Sequence, residues 1–183
     1  MIKYFYIFLL LFFLNEAQAT NKQKIISNLQ KVKNLSFDFE QNINDKIETG
    51  KCVIVYPKKI YCKYNTRNNK VLVSNGRSLV IKTDIGSYYL YPLDKTPLNL
   101  VLDKNFILNK IKDLNEKHIN NKLVNYNFIR DEISIDIFFD KESFNIVGWK
   151  TLDVYQNVNS TIISNISTNQ EINDEIFKLP KLN

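Results

Sequence analysis

The sequence predicts a mainly β chain with some α, built as one antiparallel sheet that curves strongly toward a barrel and carries two short helices. Three observations lead there. Stretches rich in β-branched and aromatic residues recur from Leu35 to Ser167, interrupted by Asn, Asp and Gly. The segment from Gly50 to Lys82, GKCVIVYPKKIYCKYNTRNNKVLVSNGRSLVIK, reads as two successive β-hairpins. Two segments, Thr20 to Lys33 and Leu98 to Leu102, space their apolar residues for a helix instead.

Residues 1–19 stand outside that fold. Met1-Ile2-Lys3, the apolar run Tyr4 to Leu14, and Ala17-Gln18-Ala19 follow the order of a secretory signal cleaved after Ala19. The apolar run is too short to span ~30 Å of hydrocarbon as a helix, so a membrane anchor is the weaker alternative. Thr20 stands where a lipoprotein signal would carry Cys. A single soluble domain, residues 20–183, is expected to remain, long enough for a real core. The net charge of +6 does not change, because the signal removes Lys3 and Glu16 together. No cluster of Arg with aromatics marks a nucleic-acid face, so no nucleic-acid partner is expected.

Ile25, Ile26, Leu29 and Val32 give the first helix its apolar face, and Thr20 with Gln23 has capping-box spacing. Cleavage after Ala19 would put the new amino terminus on that cap. LSFDFEQ, Leu35 to Gln41, alternates as a half-buried strand, and Asn42 to Thr49 reads as a polar turn. The first hairpin then turns at Tyr56-Pro57-Lys58-Lys59, because Pro presets φ and has no N–H for a central ladder. With a three-residue loop, Cys52 and Cys62 face each other at a distance a disulfide tolerates. A two-residue loop would leave them out of register as buried thiols.

Asn75-Gly76 suits a two-residue type I′ turn, which would set Ser74 opposite Arg77, Val73 opposite Ser78, Leu72 opposite Leu79 and Val71 opposite Val80. Val71, Val73 and Val80 then share one face, and Leu72, Leu79 and Ile81 the other. Both faces are apolar, so each side of this hairpin needs a cover.

After the polar link Asn65 to Lys70 and the second hairpin, Thr83 to Tyr91 is a further strand. Asp94-Lys95-Thr96-Pro97 supplies a capping Thr and an N1 Pro for the second helix. Residues 103–122 fit either helix or strand, becoming a surface connection from Lys112. Four more strands follow: Lys122 to Ile129, Glu132 to Phe139, Ile146 to Tyr155 and Ser160 to Ser167. The tail ends on DEIFKLP.

Catalytic groups do not converge. The one histidine, His118, lies in a polar run that fits a solvated loop. Asp136, Asp140, Glu142 and Asp153 fall at alternating strand positions and a turn, which explains them as solvent-facing residues. Two cysteines and one histidine make no structural zinc set, and the lone Asn-Gly makes no phosphate loop. No enzyme, cofactor or metal is expected. What stands out is apolar supply, which either packs as an ordinary core or encloses a greasy cavity between sheet and helices.

Taken in order, NLSFDFEQ after a helix, GKCVIVYPKKIYCKY, VLVSNGRSLVIK before a tyrosine-rich strand, DKTPLNLVL, and WKTLDVYQNVNSTIISNISTNQEINDEIFKLP resemble the periplasmic outer-membrane lipoprotein carrier (LolA-type) proteins across nearly all of the chain from Thr20. The resemblance implies an incomplete antiparallel β-barrel covered on its open side by short helices, with a cavity for lipoprotein acyl chains. It implies a monomeric periplasmic carrier for acylated lipoproteins, loaded by an inner-membrane ABC transporter and unloaded at an outer-membrane receptor. On that reading Ile25, Leu29, Val32, Leu98, Val101 and Leu102 form the lid. Phe37, Phe39, Ile54, Tyr56, Ile60, Tyr64, Leu72, Leu79 and Ile81 line the cavity, and the Cys52 to Cys62 disulfide pins the first hairpin. The family commonly has Arg before the hairpin Pro, holding the lid shut. Tyr56 stands there instead, with one hydroxyl where a guanidinium has five donors. A lipid- or lipoprotein-sensing regulatory protein of the same fold is the alternative.

Overall fold

The computed structural model describes residues 19–131, 133–152 and 158–182. The signal segment up to Gln18, and Asp153 to Asn157 with the end of the third late strand, therefore lie outside the described residues. Helix α1 (Asn21–Lys31) opens with the expected capping box: the Thr20 hydroxyl accepts from the Gln23 N–H, and the Gln23 side chain accepts from the Thr20 N–H. Its apolar stripe buries Ile25 and Leu29.

The strands are β1 (Asn34–Ile43), β2 (Lys46–Val55), β3 (Lys59–Tyr64), β4 (Val71–Asn75), β5 (Ser78–Lys82), β6 (Tyr88–Pro92), β7 (Lys117–Ile119), β8 (Leu123–Arg130), β9 (Ile133–Asp140), β10 (Ile146–Leu152) and β11 (Val158–Thr168). Between β6 and β7 lie helix α2 (Leu98–Leu102) and helix α3 (Lys104–Lys110). The sheet is antiparallel in the order β6-β5-β4-β3-β2-β1-β11-β10-β9-β8-β7. It does not close, since β6 and β7 remain its two edges, so the barrel is incomplete. Each neighbouring pair is a sequential hairpin except β1 with β11, which joins the two ends of the chain.

Two turns differ from expectation. The segment Asn42 to Thr49 is almost wholly strand, and the chain reverses at Asn44-Asp45, both with positive φ, between paired Ile43 and Lys46. That is the two-residue turn expected at Asn75-Gly76. There the register instead pairs Ser74 with Leu79, Val73 with Val80, Leu72 with Ile81 and Val71 with Lys82. The longer loop forms because the Asn75 side chain accepts the N–H groups of Arg77 and Ser78, while Gly76 takes φ +97. The slip is two residues, so each side chain keeps its face. The expected Thr96 cap is also absent. Its hydroxyl donates to the Leu93 carbonyl, and α2 starts on Pro97 without a side-chain cap.

The two sides of the β3 to β5 meander are covered differently. On the concave side, Phe37, Cys52, Cys62, Leu72 and Ile81 form one cross-strand row beneath the helices. Leu35, Ile54, Ile60, Ser74 and Leu79 form the next. On the convex side, Val73 and Val80 are buried, and the tail turn Asp174–Phe177, with buried Phe177, packs against β3 and β4. Lys59 clamps that tail through Asp174 at 2.8 Å and lies 5.7 Å from the Phe177 ring centre. Lys82 Nζ donates to the Lys181 carbonyl.

Candidate functional site

Phe39, Gln41 and Ile43 continue the inward parity of β1, and the ladders extend this parity across the sheet. Gln41 pairs with Thr161 and Thr161 with Trp149; Ile43 pairs with Asn159 and Asn159 with Thr151. With Cys52, Ile60, Cys62, Tyr64, Lys70, Leu72, Leu79 and Ile81, and with Thr96, Pro97 and Leu98 ahead of and in α2, these residues enclose a cavity of about 230 Å³. It lies toward the end of the sheet where β1, β3 and β10 finish and β4 and β11 begin.

The opposite end is filled. Ile25, Leu29 and Val32 from α1 and its exit, Val101 and Leu102 from α2, and Phe37 and Ile54 from the sheet are all packed into the main core. Of the residues expected to line a cavity, Phe39, Ile60, Tyr64, Leu72, Leu79, Ile81 and Leu98 do so, beside Cys52 and Cys62. The others, from the helices on one side and Phe37, Ile54 and Tyr56 on the other, pack together as the plug between helices and sheet.

Cys52 and Cys62 face each other across the three-residue loop Tyr56-Pro57-Lys58 and are joined as a disulfide in the cavity wall. Gly50 sits opposite Phe39 and Tyr64, where a Cβ would come within 2.7 Å of the Phe39 ring. That vacancy lets the two rings meet edge to face at 4.9 Å.

The polar side of the cavity is absent from the sequence reading. Tyr64 donates its hydroxyl hydrogen to Gln41, and the Gln41 amide donates to Asn159 and Thr161 at 3.3 Å each. Lys70 Nζ lies 4.1 Å from the Tyr64 ring centre and pairs with Glu48, whose other oxygen is 3.0 Å from Lys46. Burial pushes the Glu48 carboxyl upward, but hydrogen bonds from Lys70 and Lys46 outweigh it and hold the group below its ordinary value. Burial, then the Glu48 charge, raises the Tyr64 phenol. Extending the alternation of β1 past Gln41 would have found Ile43; Asn159 and Thr161 need the pairing with a strand more than a hundred residues away.

The hairpin tip meets the helices without an arginine at position 56. The Lys58 N–H donates to the Leu102 carbonyl and the Tyr56 N–H to the Lys33 carbonyl, both at 3.0 Å. The Tyr56 hydroxyl finds no partner among the described residues, and burial raises its pKa. Lys104 Nζ lies over its ring at 5.5 Å and donates to the Val32 carbonyl. A guanidinium does reach the helices, from Arg130 at the end of β8. It lies 3.0 Å from Asp103 and 3.7 Å from the Phe106 ring centre. Asp103, 3.9 Å from Lys58, also caps α3 by accepting from the Phe106 N–H.

Asp136 accepts from Asn125 and Asn127 along the sheet, and Asp140 accepts N–H groups of its own turn. The Ser143 N–H bond, chiefly, holds Asp140 below the ordinary carboxylate range.

The chain is thus an open antiparallel sheet wrapped around a plugged core, with a mainly apolar cavity that has one polar side beneath a short helix. The chain belongs to the Outer membrane lipoprotein carrier protein LolA family, which it matches over residues 30–180. Comparison with curated protein sequences gives no match. Among solved structures, the chain is similar to an uncharacterized conserved protein from Thermus thermophilus, at 8% identity and TM-score 0.51, over 88% of this chain and 96% of that one. It is also similar to a LolA superfamily protein from Nitrosomonas europaea, at 9% identity and TM-score 0.45, over 88% and 99%. A third is MucB, at 10% identity and TM-score 0.48, over 90% of this chain and 65% of that one.

Proposed function

We propose that this chain is a periplasmic carrier, cleaved after Ala19, that shields lipoprotein acyl chains and moves them from the inner to the outer membrane. Family membership supports the reading, and the cavity under Leu98 is the observation that carries it. An acyl chain of about fifteen methylenes left in water costs roughly 12 kcal/mol, at ~0.8 kcal/mol each. Aliphatic side chains offset that cost without directional bonds, so release requires no strong polar contact to be broken. At about 230 Å³ the cavity is smaller than the ~300 Å³ at which small-molecule pockets begin. A full chain therefore enters only as α2 and α3 shift off the sheet, which the contacts at Asp103 and Lys58 oppose.

In this scheme acylated lipoproteins are the cargo, an inner-membrane ABC transporter loads the monomer, and an outer-membrane receptor unloads it. Release of newly made lipoprotein from inner-membrane vesicles into the soluble fraction tests the proposal. Soluble one-to-one complexes of carrier and acylated protein are expected. Retention of all lipoprotein in the vesicles, with ATP and transporter present, would refute it.

A further inference from the structure

Among the described residues that line the cavity, Lys70 is the charged one. Its side chain is 18% exposed, and it lines both the cavity and an outer groove formed with Lys46, Glu48, Thr49 and Asn65. Glu48 stands opposite Gln41 on the inward parity of β2 and lines the groove, next to the cavity but not in its lining. Its carboxylate is shared by Lys70 and the largely exposed Lys46, so the trio as a whole carries one net positive charge. Beyond the bond to Glu48 and the contact with the Tyr64 face, an ammonium has a further N–H to donate. Gln41, Thr151, Asn159 and Thr161 add neutral donors on the same side, while Ile60, Leu72, Leu79, Ile81 and Leu98 form the apolar side. A cavity built for hydrocarbon alone needs neither the cation nor the polar row.

We infer that this cavity binds single-chain fatty carboxylates, with the chain beneath Leu98 against β3 to β5 and the carboxylate at Lys70 and the Gln41 and Thr161 row. The proposal rests on the reading of the cavity as an acyl site and adds the sign of the head group. A carboxylate is the smallest anionic head an acyl chain carries, so it adds least to the space that a chain needs beyond the about 230 Å³ already present. The attraction is charge-assisted and largely shielded from water, where such bonds are strongest.

Trp149, the single tryptophan of the chain, lines the cavity and reports its occupancy. The test titrates the folded protein at pH 7.5 with palmitate, hexadecanol and hexadecyltrimethylammonium below their aggregation limits, following Trp149 emission. Palmitate is expected to bind at least about tenfold tighter than the alcohol, equivalent to ~1.4 kcal/mol, and the cation to bind weakest. Lys70→Met should bring palmitate down to the alcohol while leaving the alcohol unchanged, and Lys70→Arg should restore the preference. Equal binding of all three ligands by the parent protein would overturn the head-group site and leave the acyl cavity standing. Binding of none would overturn both. Should Lys70→Met unfold, Gln41→Leu with Thr161→Val provides a second variant, expected to weaken palmitate selectively.

Discussion

The contact between Asp103 and Arg130 bears directly on how the helices are held. Asp103 does two jobs: one oxygen caps α3 at Phe106, and the other takes the guanidinium at 3.0 Å. The pair is 27% and 19% exposed, so solvent screens it only in part. Asp103→Asn keeps an acceptor for the cap and loses the charge, at an expected cost of about 1 kcal/mol. Asp103→Ala loses the cap as well, adding about 1 kcal/mol. Arg130→Met gives up the ion pair and the Phe106 stacking, also at about 1 kcal/mol. Because these changes share one interaction, the double variant Asp103→Ala with Arg130→Met should be milder than additive, with a coupling near 1 kcal/mol. At roughly 2–4 °C per kcal/mol for a chain of this size, Asp103→Ala should lower Tm by about 4–8 °C. Hydrogen exchange of the amides from Leu98 to Lys110 is the more local assay. Opening made easier by ~1 kcal/mol should speed exchange there about fivefold, with the β1 and β2 amides unchanged. Strict additivity in the cycle, together with unaltered exchange in those helices, would refute the latch.

Three further outcomes follow from the same geometry. Replacing Cys52 and Cys62 by Ala opens a cross-link with a sequence separation of 10, and thermal denaturation should show a loss of about 3 kcal/mol in the loop-entropy picture. Gly50→Ala pushes a methyl against the Phe39 ring and the Lys63 carbonyl, so chemical denaturation should reveal a loss of about 1–3 kcal/mol. Glu48 has its folded pKa below the ordinary 4.5, so its stabilising contribution is present above that value and fades as pH falls through the lower, folded one. Glu48→Gln should accordingly flatten the acid limb of a stability-versus-pH curve below about 4.5 and leave its slope from pH 6 to 8 unchanged.

How far the fold could be read depended on how local each determinant is. Pro57 and the spacing of Cys52 and Cys62 placed the first hairpin, because the turn and both strands lie close together in the chain. Turn choice was less legible, since Asn75 can serve either as a positive-φ turn residue or as a side-chain acceptor, and the second role prevails. The polar run Asn42 to Thr49 looked like a turn because inward Glu48 finds its partner, Lys70, only across β3. The apolar wall of the cavity followed from alternation within β1, β4 and β5. Its polar wall did not, because nothing local marks Asn159 and Thr161 as inward until β11 is paired with β1. The contact of Arg130 with Asp103 was hidden for a similar reason: nothing near Asp103 in sequence marks a residue on β8 as its partner.

The ladder of β1 with β11, non-sequential among the described strands, shapes the folding kinetics. Two meanders, β1 to β6 and β7 to β11, form from hairpin contacts between near neighbours, whereas this seam must close a loop of more than a hundred residues. Phe39, Gln41 and Ile43 stand on one side of the seam and Asn159 and Thr161 on the other, all in the same cavity wall. Any occupant touching both sides binds only the zipped state, so it acts as a reversible staple that raises stability by mass action. A ligand-bound molecule should therefore unfold more slowly than an empty one, and loss of the ligand should restore the seam to its weaker strength.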